Sequence, residues 1–429
     1  MDDSIVTGRA PTPREAFAVW LRIGLLSFGG PAAQIALMHR EIVEQRRWLS
    51  ERQYLNALSF CMLLPGPEAM QLATYAGWRL HGTMGGLIAG LSFVLPGALV
   101  ILGLASAYVF YGNLPLVNAM FLGVKAAVIV IVVEALLRVS RKALVGAGDW
   151  LVAALAFVAI FFLALPFPLI ILFAALYGFL RTSAREPARE TVLLRVSPFA
   201  SLRTALTWGL IWALPMLLLL LVDGHDLLYQ IGLFFSRLAV VTFGGAYAVL
   251  AYLGQDVVVD YGWLSAGEMM DGLGLAETTP GPLILVTEFV GFIAAFRDGG
   301  LVYGIAGAVI TLWVTFTPCF LWIFVGAPYL DWIGSQARLR GALAAITAAV
   351  VGVILNLSIW FALHVFFAEV SLRRAGPLVL WQPELSSLDW RVVVLTLLCG
   401  VLLLHRHWGI TRVLLTAAAG GVGLSLLAP

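Results

Sequence analysis

The residues best placed to bind a ligand are glycines and prolines in four short motifs that interrupt apolar helices. A Phe-Gly-Gly at 28–30 and a Pro-Gly-Pro at 65–67 recur at 243–245 and 280–282. Glycine leaves its backbone N–H uncovered, and proline starts a new helix at low cost. Helix N-termini carry unpaired N–H donors and partial positive charge, so several of them together favour an anion. The alternative is that the motifs are kinks for close helix packing.

Polar side chains near the breaks complete the predicted anion site. Arg22 and Arg237 are equivalent, because each lies six residues before the phenylalanine of its break. The guanidinium fork fits oxyanions, whereas the alternatives are snorkelling to the surface or an internal ion pair. The predicted binding residues are Arg22, Phe28, Gly29, Gly30, Pro65, Gly66, Pro67, Gln71, Arg237, Phe243, Gly244, Gly245, Thr278, Thr279, Pro280, Gly281 and Pro282.

Charged residues near the second motif of each pair are candidates for ion coupling. Glu68 follows the first Pro-Gly-Pro, and Glu277 precedes the second. A carboxylate beside an anion repels it unless protonated, which favours a proton carrier; the alternative is a helix or turn cap. Lys125 would add positive charge to the site or snorkel to the surface. Glu134 and Arg138, four residues apart, are predicted to form a structural ion pair.

Composition indicates that these motifs lie in a membrane protein. Of 429 residues, 61% are hydrophobic and 12% are charged, and the mean hydropathy is +0.96. Soluble domains have roughly 45–50% apolar and about 25% charged residues. The net charge of +2 gives no support to nucleic-acid binding. Three scattered cysteines, Cys61, Cys319 and Cys399, are predicted to be small core residues, and no metal or cofactor is expected.

Thirteen apolar segments separated by polar loops give the predicted elements. A basic stretch from Arg181 to Arg203 divides them and is predicted to be a cytoplasmic linker. The segments lie at about 15–38, 55–78, 82–111, 116–137, 150–165, 167–180, 204–222, 228–253, 269–295, 300–327, 340–367, 391–404 and 411–428.

An internal repeat sets the predicted architecture. Residues 22–67 align with 237–282 at a constant offset of 215, and 14 of the 46 positions are identical. The identities include both pairs of breaks and a shared Trp-Leu-Ser at 48–50. Pro96 then aligns with Pro318 after a short insertion. Matching glycines and prolines at one offset indicate two homologous halves.

The broken segments are predicted to be re-entrant hairpins. A limb of about 12 residues is ~18 Å long, whereas the hydrocarbon core is ~30 Å thick. A long interrupted helix that crosses is the alternative. The positive-inside rule favours re-entry, because it leaves the arginine-rich loop 39–53 in the cytoplasm. The single segment 204–222 then inverts the second half, and the equivalent loop 254–268 contains no Lys or Arg.

These motifs resemble those of the chromate ion transporter family, in its long two-domain form. The resemblance implies export of chromate from the bacterial cytoplasm, chromate resistance, and two homologous halves in opposite orientation. The residues that carry it are Phe28-Gly29-Gly30-Pro31, Met38-His39-Arg40-Glu41, Trp48, Leu64-Pro65-Gly66-Pro67-Glu68-Ala69, Phe93-Val94-Leu95-Pro96-Gly97, Thr242-Phe243-Gly244-Gly245, Asp271-Gly272-Leu273 and Glu277-Thr278-Thr279-Pro280-Gly281-Pro282.

Together, the sequence predicts an all-α polytopic membrane protein with an inverted repeat and no enzymatic activity. The expected domains are an N-terminal repeat at 1–180, a linker with one helix at 181–222, and a C-terminal repeat at 223–429. We expect a multi-pass protein of the bacterial inner membrane, with its N-terminus cytoplasmic and its C-terminus periplasmic. Its expected partners are chromate, the lipid bilayer and, as one candidate assembly, a second copy. Alternatives are a sulfate or other oxyanion transporter, a passive anion channel, or an intramembrane enzyme.

Overall fold

The protein is almost entirely helical in the computed structural model, which describes residues 11–182, 197–222, 226–243 and 245–427. Most of the predicted linker, including Arg185, Arg189 and Arg195, lies outside these ranges, as does Gly244. The first half contains α1 (Pro13–Leu26), α2 (Gly30–His39), α3 (Glu51–Cys61), α4 (Glu68–Tyr111), α5 (Pro115–Ala143), α6 (Ala147–Phe161) and α7 (Phe167–Arg181).

The remaining helices match the later predicted segments. They are α8 (Pro198–Leu219), α9 (Asp226–Val241), α10 (Ala246–Gln255), α11 (Ala266–Thr278), α12 (Val286–Gly326), α13 (Leu330–Ser335), α14 (Ala337–Phe366), α15 (Trp390–Gly400) and α16 (Ile410–Leu427). Each predicted segment that contains a break corresponds to two consecutive helices, or to a helix and the first part of the next. The all-α class is confirmed.

One small β-hairpin departs from the prediction. Strands β1 (Val370–Ala375) and β2 (Leu378–Pro383) pair antiparallel between α14 and α15. The turn has Gly376 at φ 63°, a conformation that suits a tight two-residue hairpin loop. The sequence analysis assigned no element to this interval.

The two longest helices, α4 and α12, are each two helices that fold back on one another. At His81–Gly82 and again at Gly299–Gly300 the backbone leaves helical geometry, and the second glycine has φ of 62° and 73° respectively. In α4 the glycines on the two sides of the turn touch, because a Cβ on Gly77 would overlap the carbonyl oxygen of Gly85. In α12, Gly291 and Gly307 are in the same relation. Both are therefore antiparallel helical hairpins.

Two compact units make up the chain, and each draws on both sequence halves. Unit 1 comprises Met1–Gly103, Ala184–Ala246 and Thr279–Arg340; unit 2 comprises Leu104–Ser183, Tyr247–Thr278 and Gly341–Pro429. The compact units thus follow different boundaries from the predicted sequence domains. All four breaks fall in unit 1.

Within unit 1, the chain reverses at both breaks of the first half. Trp20 and Trp48 lie on opposite sides of the first break with ring centroids 6.4 Å apart. Phe60 and Tyr75 flank the second break, also at 6.4 Å. A straight helix would separate the first pair by roughly 40 Å at 1.5 Å per residue. Each break is thus the tip of a hairpin.

Helix capping explains the serine of the repeated Trp-Leu-Ser. Ser50 caps α3 in a box with Gln53, and Ser265 accepts from the N–H of Glu268, whose carboxylate accepts from Ser265 in return. This Ser-x-x-Gln/Glu pattern is a capping box. It fixes where α3 and α11 begin, and therefore how far each is from the Pro-Gly-Pro that follows.

The second-half segments of unit 1 pack around α12. Helices α8 and α9 both lie against it. Trp208 on α8 stacks on Phe320 and approaches Phe324, with centroids 5.7 and 5.1 Å away. Trp313 on α12 donates its indole N–H to the carbonyl of Ile211, at 2.9 Å. These contacts hold the second limb of the α12 hairpin against α8.

Unit 2 has its own core, built on α5. Helices α15 and α16 pack against α5, and Gly123 touches the backbone of Ala417. The buried cluster there includes Val130, Ile131 and Cys399. All three cysteines are buried, which confirms the prediction for them.

Six helices among the described residues are long and apolar enough to cross a membrane, by length and composition. They are Glu68–Tyr111, Pro115–Ala143, Pro198–Leu219, Leu283–Tyr329, Ala337–Phe366 and Ile410–Leu427.

Candidate functional site

A hydroxyl residue ends the helix that enters each Phe-Gly-Gly. Ser27 donates its Oγ hydrogen to the carbonyl of Ile23, at 2.6 Å, and Thr242 does the same to Leu238, at 2.5 Å. Both side chains are buried, at 0% and 1% exposure. Ser27 and Thr242 are equivalent in the repeat. The two halves therefore share this side-chain contact at the ends of α1 and α9.

The first Phe-Gly-Gly leaves backbone donors unused. Gly29 and Gly30 have φ of 86° and 78°, which glycine adopts without strain. Helix α2 begins at Gly30, and no hydrogen-bond acceptor among the described residues pairs with the N–H of Gly29 or Gly30. A Cβ added to Gly30 would meet nothing within 4 Å. This tip thus presents free N–H groups beside open space.

The Pro-Gly-Pro motifs use their one N–H to join the repeats. Gly66 N–H donates to the carbonyl of Thr242 at 2.8 Å, and Gly281 N–H donates to the carbonyl of Ser27 at 2.9 Å. The two donors, Gly66 and Gly281, are equivalent at the offset of 215, and so are the two acceptors, Ser27 and Thr242. Such a reciprocal contact is what a two-fold relation between similar units produces. We call these two interactions the cross-repeat bonds.

Each Pro-Gly-Pro motif also packs against the opposite repeat. A Cβ on Gly66 would lie 2.9 Å from Sγ of Cys319 on α12. On the other side, a Cβ on Gly97 of α4 would overlap the carbonyl oxygen of Pro280. Gly97 and Cys319 each follow a proline, Pro96 and Pro318, which the sequence alignment pairs. Each motif therefore docks on the hairpin helix of the opposite repeat.

Two buried glutamines hold the tips of unit 1. Gln34 donates from Nε2 to the carbonyl of Gly281 at 2.6 Å and to that of Ser27 at 3.3 Å. Gln71 donates to the carbonyl of Pro65 at 2.7 Å. The Oε1 atoms of both glutamines are buried without a hydrogen-bond partner. Gln34 was not among the predicted site residues, and the sequence offered no paired residue to single it out, because Val249 is at its repeat position.

The predicted arginine ligands and Phe28 are more exposed to solvent than the other described site residues. Arg22 and Arg237 are exposed, and neither is in an ion pair among the described residues. Phe28 is 41% exposed and Phe243 is half-buried. Gly245 lies near Glu68, since a Cβ on it would be 3.5 Å from a carboxylate oxygen of Glu68. Pro65, Pro67, Thr279, Pro280 and Pro282 are buried.

Two other predicted residues lie in unit 2, at the end of α11. Glu277 is buried and accepts a hydrogen bond from the hydroxyl of Tyr247 at 2.9 Å. Thr278 donates to the carbonyl of Leu275. Also in unit 2, Arg138 donates to Glu134 at 2.6 Å, as the four-residue spacing predicted.

Lys125 has a partner that the sequence analysis did not give it. Its Nζ lies 3.4 Å from Asp271, a buried residue on α11. The hydroxyl of Tyr108 donates to the second oxygen of the same carboxylate at 2.8 Å. Lys125 is thus neutralised inside unit 2. Asp271 is far from Lys125 in sequence, so spacing gave no signal for this pair.

Glu288 is the main charged residue that the sequence analysis missed. It lies on the first turn of α12, six residues after Pro282, and is 1% exposed. Its Oε2 is buried without a hydrogen-bond partner. A single Glu within a long apolar run was the available signal.

Comparison with known proteins gives a family match over most of the chain. The family described as chromate transporter matches residues 14–179 and 229–424. The chain is 32% identical over 339 residues to a probable chromate transport protein of Synechococcus elongatus, covering 78% of this chain and 81% of that protein.

Two further relatives have similar coverage. Identity is 32% with a chromate transport protein of Cupriavidus metallidurans, across 82% of this chain and 83% of the relative. It is 33% with one of Pseudomonas aeruginosa, across 79% of each. No solved structure matches the chain. With its apolar helices, this multi-pass membrane protein belongs to the chromate transporter family.

Proposed function

We propose that the protein is a secondary transporter that exports chromate across the bacterial inner membrane and so confers chromate resistance. The proposal rests on one observation: the cross-repeat bonds bring the breaks of the two repeats together, and the N–H groups of Gly29 and Gly30 are free beside them. The relatives that are named chromate transport proteins supply the identity of the anion.

The donors at this site suit a tetrahedral oxyanion. Free N–H groups at the start of α2 and a helix dipole favour negative charge. Arg22 and Arg237 lie in the two helices that lead to the Phe-Gly-Gly breaks, and their long side chains carry a fork that matches oxyanion geometry. In this proposal the Pro-Gly-Pro residues line the site, while Gly66 and Gly281 keep their N–H groups in the cross-repeat bonds.

The short helices beside the first-half breaks support re-entry, and in this proposal the inverted second half enters from the opposite membrane face. At 10 and 11 residues, α2 and α3 are about 15 Å long, half the ~30 Å hydrocarbon core. Irregular backbone at that depth needs to be buried in protein or to line a cavity. Inverted repeats of this kind place their broken helices at the midplane.

The equivalence of the two cross-repeat bonds supports alternating access as the mechanism of this proposal. Both bonds are formed together in the structure, so they give the two repeats a pair of equivalent contacts about which to rock. Such rocking of inverted repeats exposes a fixed site to each side in turn. Glu68, Glu277 and Lys125 are the coupling candidates from the sequence, and of these Glu277 and Lys125 have partners in unit 2.

Uptake of labelled chromate into everted membrane vesicles tests this function. We expect energised uptake by vesicles with the wild-type protein, and its loss in the Arg22→Ala/Arg237→Ala double variant at equal expression. Uptake of sulfate in preference to chromate would replace the proposed substrate. Flux that only follows the anion's own gradient would favour a channel. Equal rates in the wild type and the double variant would refute the arginine site.

A further inference from the structure

A row of buried oxygens without partners lies inside the α12 hairpin. It consists of Glu288 on the first limb and Thr311 and Thr315 on the second, which we call the α12 seam. Exposure of the three residues is 1%, 0% and 2%. Glu288 Oε2 and the two Oγ1 atoms have no hydrogen-bond partner. A buried polar group without a partner costs about 1–3 kcal/mol, so three together require an explanation.

The register of the hairpin brings the three residues to one face. Gly291 touches Thr311, since a Cβ on Gly291 would overlap its Oγ1. Glu288 lies one turn before Gly291 on the same face of its limb. Thr315 lies one turn after Thr311. Because the limbs are antiparallel, these successive turns face each other across the seam.

No charged side chain neutralises Glu288 among the described residues of unit 1. The Glu288 carboxylate forms neither an ion pair nor a hydrogen bond with any titratable side chain on the helices that pack there. Those side chains are Glu68, Tyr75, Arg79 and His81 on α4, Arg203 on α8, Asp226, Tyr229 and Arg237 on α9, and Arg297, Asp298, Tyr303 and Cys319 on α12.

The seam is present in one repeat only. The offset of 215 places Ala73 at the position of Glu288, and the matching of Gly77 with Gly291 places Thr74 there; both are buried and neither has a carboxylate. The breaks, by contrast, occur in both repeats. A function that belongs to both halves, such as anion binding, would leave no reason for a one-sided carboxylate. A function that is needed once in each transport cycle would explain a carboxylate in one repeat only.

We propose that Glu288 binds and releases the proton that drives anion transport. This rests on the proposed function. In each cycle a proton adds to a carboxylate oxygen from one side of the membrane, forming an O–H bond, and leaves to water on the other side. The neutral acid removes the uncompensated charge from this buried position. A metal cation fits less well, because hard cations take about six oxygen ligands and the helical carbonyls of α12 are already paired.

Infrared spectroscopy of the purified protein tests proton binding without any transport. We expect the wild type to show the carbonyl stretch of a buried protonated carboxylic acid at neutral pH, and Glu288→Gln to lack it. Glu288→Asp keeps a carboxyl group and should keep a shifted band. Asp298→Asn removes an exposed acid from the same hairpin and should leave the band unchanged. A wild-type band that persists at full intensity in Glu288→Gln would overturn the assignment, whereas a residual band can come from another buried acid such as Glu277.

Vesicle transport separates this inference from the proposed function. Under an imposed pH gradient, we expect Glu288→Gln to lose gradient-driven chromate accumulation while keeping chromate–chromate exchange. Accumulation equal to wild type would overturn the coupling role, and so would wild-type accumulation driven by a sodium gradient alone. Absence of chromate uptake by the wild type, with the infrared band present, would refute the proposed function and keep Glu288 as a proton site.

Discussion

The Phe-Gly-Gly at 28–30 and the Pro-Gly-Pro at 65–67 each put glycine at the tip of a helical hairpin, yet they use the glycine N–H differently. At 28–30 the N–H groups of Gly29 and Gly30 have no acceptor among the described residues, and the space at Gly30 is open. At 65–67 and 280–282 the one available N–H is bonded to the opposite repeat. Proline has no N–H, so Pro-Gly-Pro offers a single donor.

This difference assigns separate tasks to motifs that look alike in sequence. A donor that is already bonded to a carbonyl holds two parts of the protein together. A free donor beside open space can bind a ligand. The Pro-Gly-Pro tips therefore join the repeats, and the first Phe-Gly-Gly tip is the better anion donor.

The largest effect is expected where a Pro-Gly-Pro tip docks. In Gly97→Ala, the new methyl would overlap the carbonyl oxygen of Pro280, and backbone cannot yield as a side chain can. We expect a loss of stability of about 3 kcal/mol, the upper range for overpacking, measured by thermal unfolding in detergent. Gly103→Ala on the same helix is the control, because its methyl would meet nothing within 4 Å. Equal melting temperatures for the two variants would contradict the docking.

Gly66→Ala tests the first cross-repeat bond directly. Gly66 has φ of 119°, and a Cβ there would lie 2.8 Å from Nε2 of Gln71 and 2.9 Å from Sγ of Cys319. Strained backbone of this kind costs roughly 1–3 kcal/mol. We expect lower thermal stability together with lower transport. A variant with wild-type stability would show that the Gly66 tip does not need this conformation.

Gly30→Ala should separate binding from stability. The open space around Gly30 leaves only the positive φ as a cost, roughly 1–2 kcal/mol. The methyl would, however, cover the N–H groups that we assign to the anion. We expect the protein to fold and to bind chromate more weakly, as measured by calorimetry. Gly262→Ala has a similar φ of 62° and open space in the loop before α11, outside the predicted site residues, so it should leave affinity unchanged.

The smallest effect is expected at the hydroxyls next to the cross-repeat bonds. Ser27 and Thr242 contribute their carbonyls to those bonds, while their side chains bond only within their own helices. Ser27→Ala and Thr242→Val should therefore cost no more than about 1 kcal/mol each. Transport rates should stay near wild type. Loss of transport in either variant would give the hydroxyl a role that the hydrogen bonds do not show.

The sequence predicted the elements well because its signals were local. Apolar length, glycine and proline breaks and the constant offset between repeats all act within a few residues or at one fixed spacing. The Glu134–Arg138 pair, four residues apart, was found for the same reason. The β-hairpin at 370–383 was missed because a short exposed strand pair has no long apolar run.

The partners of the tips could not be predicted, because they depend on how distant segments meet. The residues next to Pro-Gly-Pro in sequence do not indicate that its glycine bonds to Thr242 or Ser27. For Lys125 the sequence analysis gave two alternatives, charge at the anion site or snorkelling, and neither included the Asp271 that tertiary packing places beside it. Gln34 and Glu288 have no equivalent polar residue in the other half, so a search for matched positions passed over both.

Hydrogen–deuterium exchange of the detergent-purified protein, with and without chromate, tests the division of tasks most directly. Peptides that contain 28–30 and 65–67 report the two tips separately. We predict slow exchange at Gly66 in both conditions, and fast exchange at Gly29 and Gly30 that chromate slows. Chromate protection of the Gly66 peptide with none at Gly29 and Gly30 would contradict the account.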